Sequence, residues 1–170
     1  MALGSHSRGT VRELSAADFA PLDEFPLLGR WTRRTHDLLP SDALATIRPL
    51  APSAAAALAP EAVSRCEPRA VSDLEMTIRA EWDAPQSVRD RLAALPIPPD
   101  ERVILSWSHD VAVETRWKTF VRYWDAFCYP STDDVTVWSL GGDWTLCYRH
   151  FQVIQFGRTP LSSLTSVASD

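Results

Sequence analysis

Hydrophobic and polar positions follow one another along this chain in an order that names its elements. Met76, Ile78, Ala80 and Trp82 alternate with Glu75, Thr77, Arg79 and Glu81, the period of two that turns one strand face toward a core, and Asp83 and Pro85 stop it. Val88, Leu92 and Leu95 then recur at steps of four and three, which predicts a short amphipathic helix closed by Pro96. Residues 103–107, rich in branched and aromatic side chains, predict a second strand. The longest apolar stripe is Val113, Trp117, Phe120, Val121, Trp124 and Phe127, all on one side of a helix expected over about 111–127. Asp110 is its expected N-cap, and Glu114 falls in the first turn, where the helix dipole favours negative charge. Arg116, Lys118, Thr119 and Arg122 form its solvated side, and Pro130 halts it.

Two alternating runs, 135–140 and 143–148, are joined by Gly141-Gly142, the signature of a tight type I′ hairpin with positive φ at both glycines. A two-residue turn sets the register. Leu140 faces Asp143, Ser139 faces Trp144, Val137 faces Leu146 and Val135 faces Tyr148, the last two pairs on the core side. Trp138 faces Thr145, Thr136 faces Cys147 and Asp134 faces Arg149 on the other side, and residues 152–156 supply a last strand. In the first half, Ser41 reads as an N-cap ahead of Ala43, Leu44 and Ile47. Ser53 opens an alanine-rich helix that Pro60 must kink or split. The expected fold is α+β: a helical N-terminal half packed on a mostly antiparallel sheet of about five strands, with one long amphipathic helix over about 111–127. Residues 1–37 read as a loosely ordered segment, 38–158 as one domain and 159–170 as a disordered tail.

Composition bounds the function. A chain of 170 residues, 45% apolar and 23% charged, suits a single globular domain. A net charge of −5 with no block of like charges disfavours a nucleic-acid or anionic-membrane surface, and no apolar run approaches the ~18 residues of a membrane span. The first thirty residues lack the apolar centre of a secretory signal. Arg30, Arg33 and Arg34 surround Trp31 in a grouping able to grip phosphate, but the segment reads as a solvated one. Cys66, Cys128 and Cys147, odd in number and widely spaced, point to a reducing cytoplasm.

Five of the seven tryptophans fall between Trp107 and Trp144, which makes that stretch the candidate for chemistry. Dinucleotide, P-loop, nucleophile-elbow and metalloprotease motifs do not occur. Cys147 and His150 have zinc-ligand spacing, with Cys128 or His109 as further ligands, but positions three apart on a strand diverge, so no metal is expected. Cys128 beside His150 has the elements of a nucleophile and base. Its expected place at a helix C-terminus disfavours the thiolate and makes it structural. Asp133 and Asp134 read as a turn cap and a partner of Arg149 rather than as a metal or acid/base pair. Trp117, Trp124 and Trp144 belong to core faces, whereas Trp138, Tyr123 and Tyr129 fall off them.

The leading expectation is therefore a non-enzymatic cytosolic module that binds another protein, with no cofactor, nucleic acid or membrane. Its surface is built from Tyr123, Tyr129, Asp133, Asp134, Trp138, Arg149 and His150. Two alternatives stand beside it. The alanine-rich helices cover the outer sheet face and bury Trp138, or the chain is a small hydrolase or nuclease using Asp133, Asp134, Arg149 and His150.

The run Glu114-Thr115-Arg116-Trp117, the stretch from Trp124 through Tyr129-Pro130-Ser131-Thr132-Asp133-Asp134, and the segment from Trp144 to Gly157 resemble a family of small bacterial proteins catalogued as a domain of unknown function. The likeness covers about 103–158 and implies a bacterial, cytosolic protein without a known activity. In architecture and composition the chain is also loosely similar to the SMI1/KNR4-like immunity proteins, acidic binders of toxins, which implies an immunity or regulatory role.

Overall fold

Among the described residues, seven strands form one sheet: β1 (Arg48–Pro49), β2 (Asp73–Arg79), β3 (Arg102–Ser106), β4 (Ala112–Arg116), β5 (Val135–Trp138), β6 (Trp144–Arg149) and β7 (Val153–Arg158). The structure is a computed structural model and describes residues 13–35, 38–67, 73–80 and 83–158. Across the sheet the order is β1-β4-β3-β5-β6-β7-β2, with every neighbouring pair antiparallel. The helices are short: α1 (Gly29–Thr32), α2 (Ser41–Leu44), α3 (Pro52–Arg65), α4 (Pro85–Ala93), α5 (Trp117–Arg122) and α6 (Trp124–Phe127). No helix among the described residues is long and apolar enough to cross a membrane.

This overturns the expected five-strand sheet under a helical half. The single helix expected over 111–127 is a strand followed by two short helices. Val113 and Thr115 are β-branched, and β4 lies between two covered faces, so even Glu114 and Thr115 are buried and the strand shows no polar alternation. The step of four from Val113 to Trp117 that completed the apparent stripe crosses a strand-to-helix junction. Asp110 is accordingly no helix cap. It accepts from the Ser108 hydroxyl in a turn closed by the Trp107 N–H on the Val111 carbonyl. Thr119, expected in solvent, is buried and shares a hydroxyl contact with Thr46 at 3.0 Å.

In the first half, α2 begins at Ser41 with Pro40 in the cap position. Helix α3 begins with Pro52 in its first turn and continues through Pro60, which sits on its exposed side.

The hairpin pairs in the expected register: Val135 with Tyr148, Thr136 with Cys147, Val137 with Leu146 and Trp138 with Thr145. Its turn differs from the expected type. Pairing stops at Trp138 and Thr145, Gly141 alone of the two glycines has positive φ (77°), and the Gly142 N–H closes the turn on the Ser139 carbonyl at 2.9 Å. Glycine at the third position of a four-residue turn is what a type II turn demands.

Both faces of the sheet are covered. On one, Val103, Leu105, Val113, Val137, Leu146, Ile154 and Phe156 meet Phe120, Trp124 and Phe127 of α5 and α6, and Phe25 and Trp31 from the N-terminal stretch insert into the same core. On the other, Ile104, Ala112 and Trp138 lie under Ala54, Ala55, Leu58 and Ala62 of α3. Trp138 is fully buried there, so it is not a surface anchor. A disulfide joins Cys66, just after α3, to Cys147 on β6, with Cα atoms 5.9 Å apart. The unpaired cysteine set that pointed to a reducing cytoplasm is thus reduced to one buried thiol, Cys128.

Candidate functional site

Among the described residues two non-glycines adopt left-handed backbone, Ser131 (φ 65°) and Gln152 (φ 64°), and both stand at the same corner of the molecule. After α6 the chain reverses through residues 129–134. The Tyr129 N–H donates to Asp133 Oδ2 at 2.9 Å, and the Ser131 N–H reaches across to the carbonyl of His150 at 2.9 Å. The link from β6 to β7 is equally tight, with the Gln152 N–H on the Arg149 carbonyl at 2.7 Å. The corner is built from two reversals stitched together.

Asp133 and Asp134 diverge. Asp133 is buried, and Arg30 grips it with two bonds, Nη1 to Oδ2 at 2.5 Å and Nη2 to Oδ1 at 2.9 Å. The Arg30 guanidinium also lies 4.4 Å from the Tyr129 ring centre, so this arginine is consumed internally and offers no phosphate grip. Asp134 stays exposed. Its Oδ1 accepts the His150 N–H at 2.9 Å and lies 3.1 Å from His150 Nδ1. The His150 ring stands edge-on to Phe151 at 5.3 Å, and Phe151 is 60% exposed at the tip of the turn.

Of the seven residues assigned to one surface, the corner gathers Tyr129, Asp133, Asp134 and His150. Arg149 turns away and donates to the carbonyl of Cys66, so the expected Asp134–Arg149 pair does not form. Tyr123 lines a separate cleft of about 200 Å³ with Thr46, Lys118 and Arg122. Trp138 lies under α3. The sequence reading missed Phe151, whose only signal was one large apolar residue in a polar reversal, and the Arg30 clamp, whose partner is 103 positions away.

The remaining chemistry is quiet. Cys147 is spent in the disulfide and supplies no thiolate, and among the described residues no three His, Cys, Asp or Glu side chains converge as a metal site. Burial pushes the Cys128 thiol well above its ordinary pKa, and the nearby Asp133 carboxylate adds to the shift, so it is a protonated core group. Compared with protein-family models, curated proteins and solved structures, the chain has no match.

Proposed function

We propose that this chain is a non-enzymatic protein-binding module, of immunity or regulatory type, whose contact surface is the corner of Tyr129, Ser131, Asp134, His150 and Phe151. The observation that carries the reading is Phe151. A phenylalanine 60% exposed on the three-residue link between β6 and β7 costs hydration and gains little packing beyond the His150 edge, and the link holding it uses a left-handed Gln152. Aromatic anchors with a polar rim are what protein interfaces use, and Asp134 with His150 supplies that rim. The same geometry weighs against the hydrolytic alternative, because Asp133 is saturated by Arg30 and Arg149 is engaged at Cys66.

The immunity or regulatory direction comes from the loose likeness in composition to toxin-binding proteins, since the single long helix behind the architectural part of that likeness is a strand and two short helices here. The cytoplasmic expectation rested on three unpaired cysteines. With Cys66 and Cys147 joined that support is gone, since such bonds persist mainly in oxidising compartments.

The test is a photoreactive phenylalanine analogue at position 151, with a control at the exposed Arg91 on α4. One discrete protein adduct from position 151, absent from position 91 and abolished by Asp134→Lys without loss of melting temperature, is the expected result. Identical adducts from both positions, or none from 151, would refute the proposed surface.

A further inference from the structure

The outer sheet face continues past the α3 cover into an open cleft of about 390 Å³. Its floor is the cross-strand pair Ile104 and Glu114, and Leu14 and Leu140 form its apolar walls. Arg102 and Ser139 complete the lining, with Glu13 at the rim.

The polar groups of this cleft are unusual for a sheet surface. Glu114 is buried on β4, one strand in from the sheet edge, and both of its arginines approach the same oxygen: Arg48 Nη1 lies 3.1 Å and Arg102 Nη1 3.6 Å from Oε1. Among the described residues nothing bonds Oε2. Ser139 is also buried, and its hydroxyl forms no hydrogen bond among the described residues. Both oxygens open onto the cleft rather than being sealed inside the protein, so a ligand entering it can supply their bonds. Arg102 differs from Arg48. Arg48 is held over the Phe19 ring at 3.5 Å, while Arg102 is 60% exposed and its guanidinium is free to take an anion as well.

From this we infer that the cleft is a binding site for a zwitterionic amino acid with an apolar side chain. The ammonium donates to Glu114 Oε2 and the Ser139 hydroxyl, the carboxylate is taken by Arg102, and the side chain lies against Leu14, Ile104 and Leu140. Two arginines and two glutamates around the cleft balance to zero, which suits a ligand carrying one charge of each sign. The volume exceeds that of a single amino acid with a branched side chain, so such a ligand fits with room left for water in the open cleft. The site is separate from the Phe151 corner, so it stands or falls independently of the protein-binding role.

The experiment titrates the full chain by calorimetry with L-leucine, leucinamide, which lacks the carboxylate, and N-acetyl-leucine, which lacks the ammonium. Leucine is expected to bind saturably, with each analogue about tenfold or more weaker. Arg102→Gln is expected to make leucine and leucinamide equivalent while N-acetyl-leucine stays weak. Because Glu114→Gln disturbs a buried pair, Ser139→Ala serves as the second variant, and it is expected to weaken leucine without lowering the melting temperature. No saturable heat with leucine up to roughly 10 mM, or equal binding of all three compounds, overturns the inference.

Discussion

Arg30 and Asp133 form a two-pronged ion pair that ties the N-terminal stretch to the loop between α6 and β5, 103 positions away. Asp133 is nearly sealed from water and Arg30 is 18% exposed, so removing one member leaves an uncompensated buried charge. Asp133→Ala is expected to cost about 3 kcal/mol in urea unfolding. Arg30→Met alone should cost a comparable amount, whereas the double variant should recover much of the loss. Additive losses would show that the two groups act through separate contacts.

The Cys66–Cys147 bond closes a span of 81 positions and fastens the end of α3 to a central strand. Much of the apolar surface that α3 buries on the sheet is alanine, which contributes little area per residue, so the covalent link is a large share of what holds this cover down. Reduction is expected to lower stability by about 2–5 kcal/mol. Intact mass should fall by two hydrogens in the unreduced protein. Alkylation of the native chain should label no cysteine without reductant and two with it, leaving Cys128 for the unfolded state. Cys128 also fixes a sign for pH. Its folded pKa is raised, so its contribution is complete below the ordinary thiol pKa and is lost as pH climbs above it, and alkaline conditions should destabilise the wild type more than Cys128→Ala.

What could be seen in advance divides by range. The hairpin register was legible because period-two patterning and a Gly-Gly turn are local, and the four observed pairs follow from them. Its turn type was not, because Arg65, invisible from the hairpin itself, bonds the Gly142 and Trp144 carbonyls and shapes the loop. Strand β4 was misread as helix because a strand buried on both faces loses its alternation, and Val113 then fell by coincidence into the stripe of α5 and α6. The corner was half legible. Asp134 and His150 were close enough along the hairpin to be grouped, but Arg30 and Cys66 belong to distant segments, and they decided the fates of Asp133 and Arg149.

Trp138 separates the surface reading of the hairpin from the covered one. An exposed ring removed by Trp138→Ala leaves the melting temperature unchanged. Under α3 the same change opens a cavity beside Leu58 and Ile104, and a loss of about 3–5 kcal/mol is expected. The indole N–H is buried without a hydrogen bond, so Trp138→Phe discards no bond and should cost markedly less. Equal losses for the two substitutions would mean that the ring's polar edge, rather than its volume, stabilises the cover.

Arg65 is fully buried, and its guanidinium is shared among Glu61 at 2.8 Å, the Trp144 carbonyl and Thr145 hydroxyl at 3.2 Å each, and the Gly142 carbonyl at 3.1 Å. Burial pulls its pKa down, and Glu61 one turn earlier opposes that pull, so the side chain remains a cation that replaces solvent for the hairpin's carbonyls. A planar fork serves several acceptors at fixed angles, which an ammonium on a flexible stem does not reproduce. Arg65→Lys is therefore expected to keep the charge and the Glu61 contact but release the turn. Amide exchange at Gly142 and Asp143 should quicken while the β5–β6 ladder stays protected, and the global loss should be about 1–3 kcal/mol. Arg65→Met should free the turn to the same degree without leaving a buried charge. If Lys and Met variants exchange as slowly as the wild type at these two amides, the turn is held by its own glycine geometry and Arg65 acts only as packing beneath Trp138.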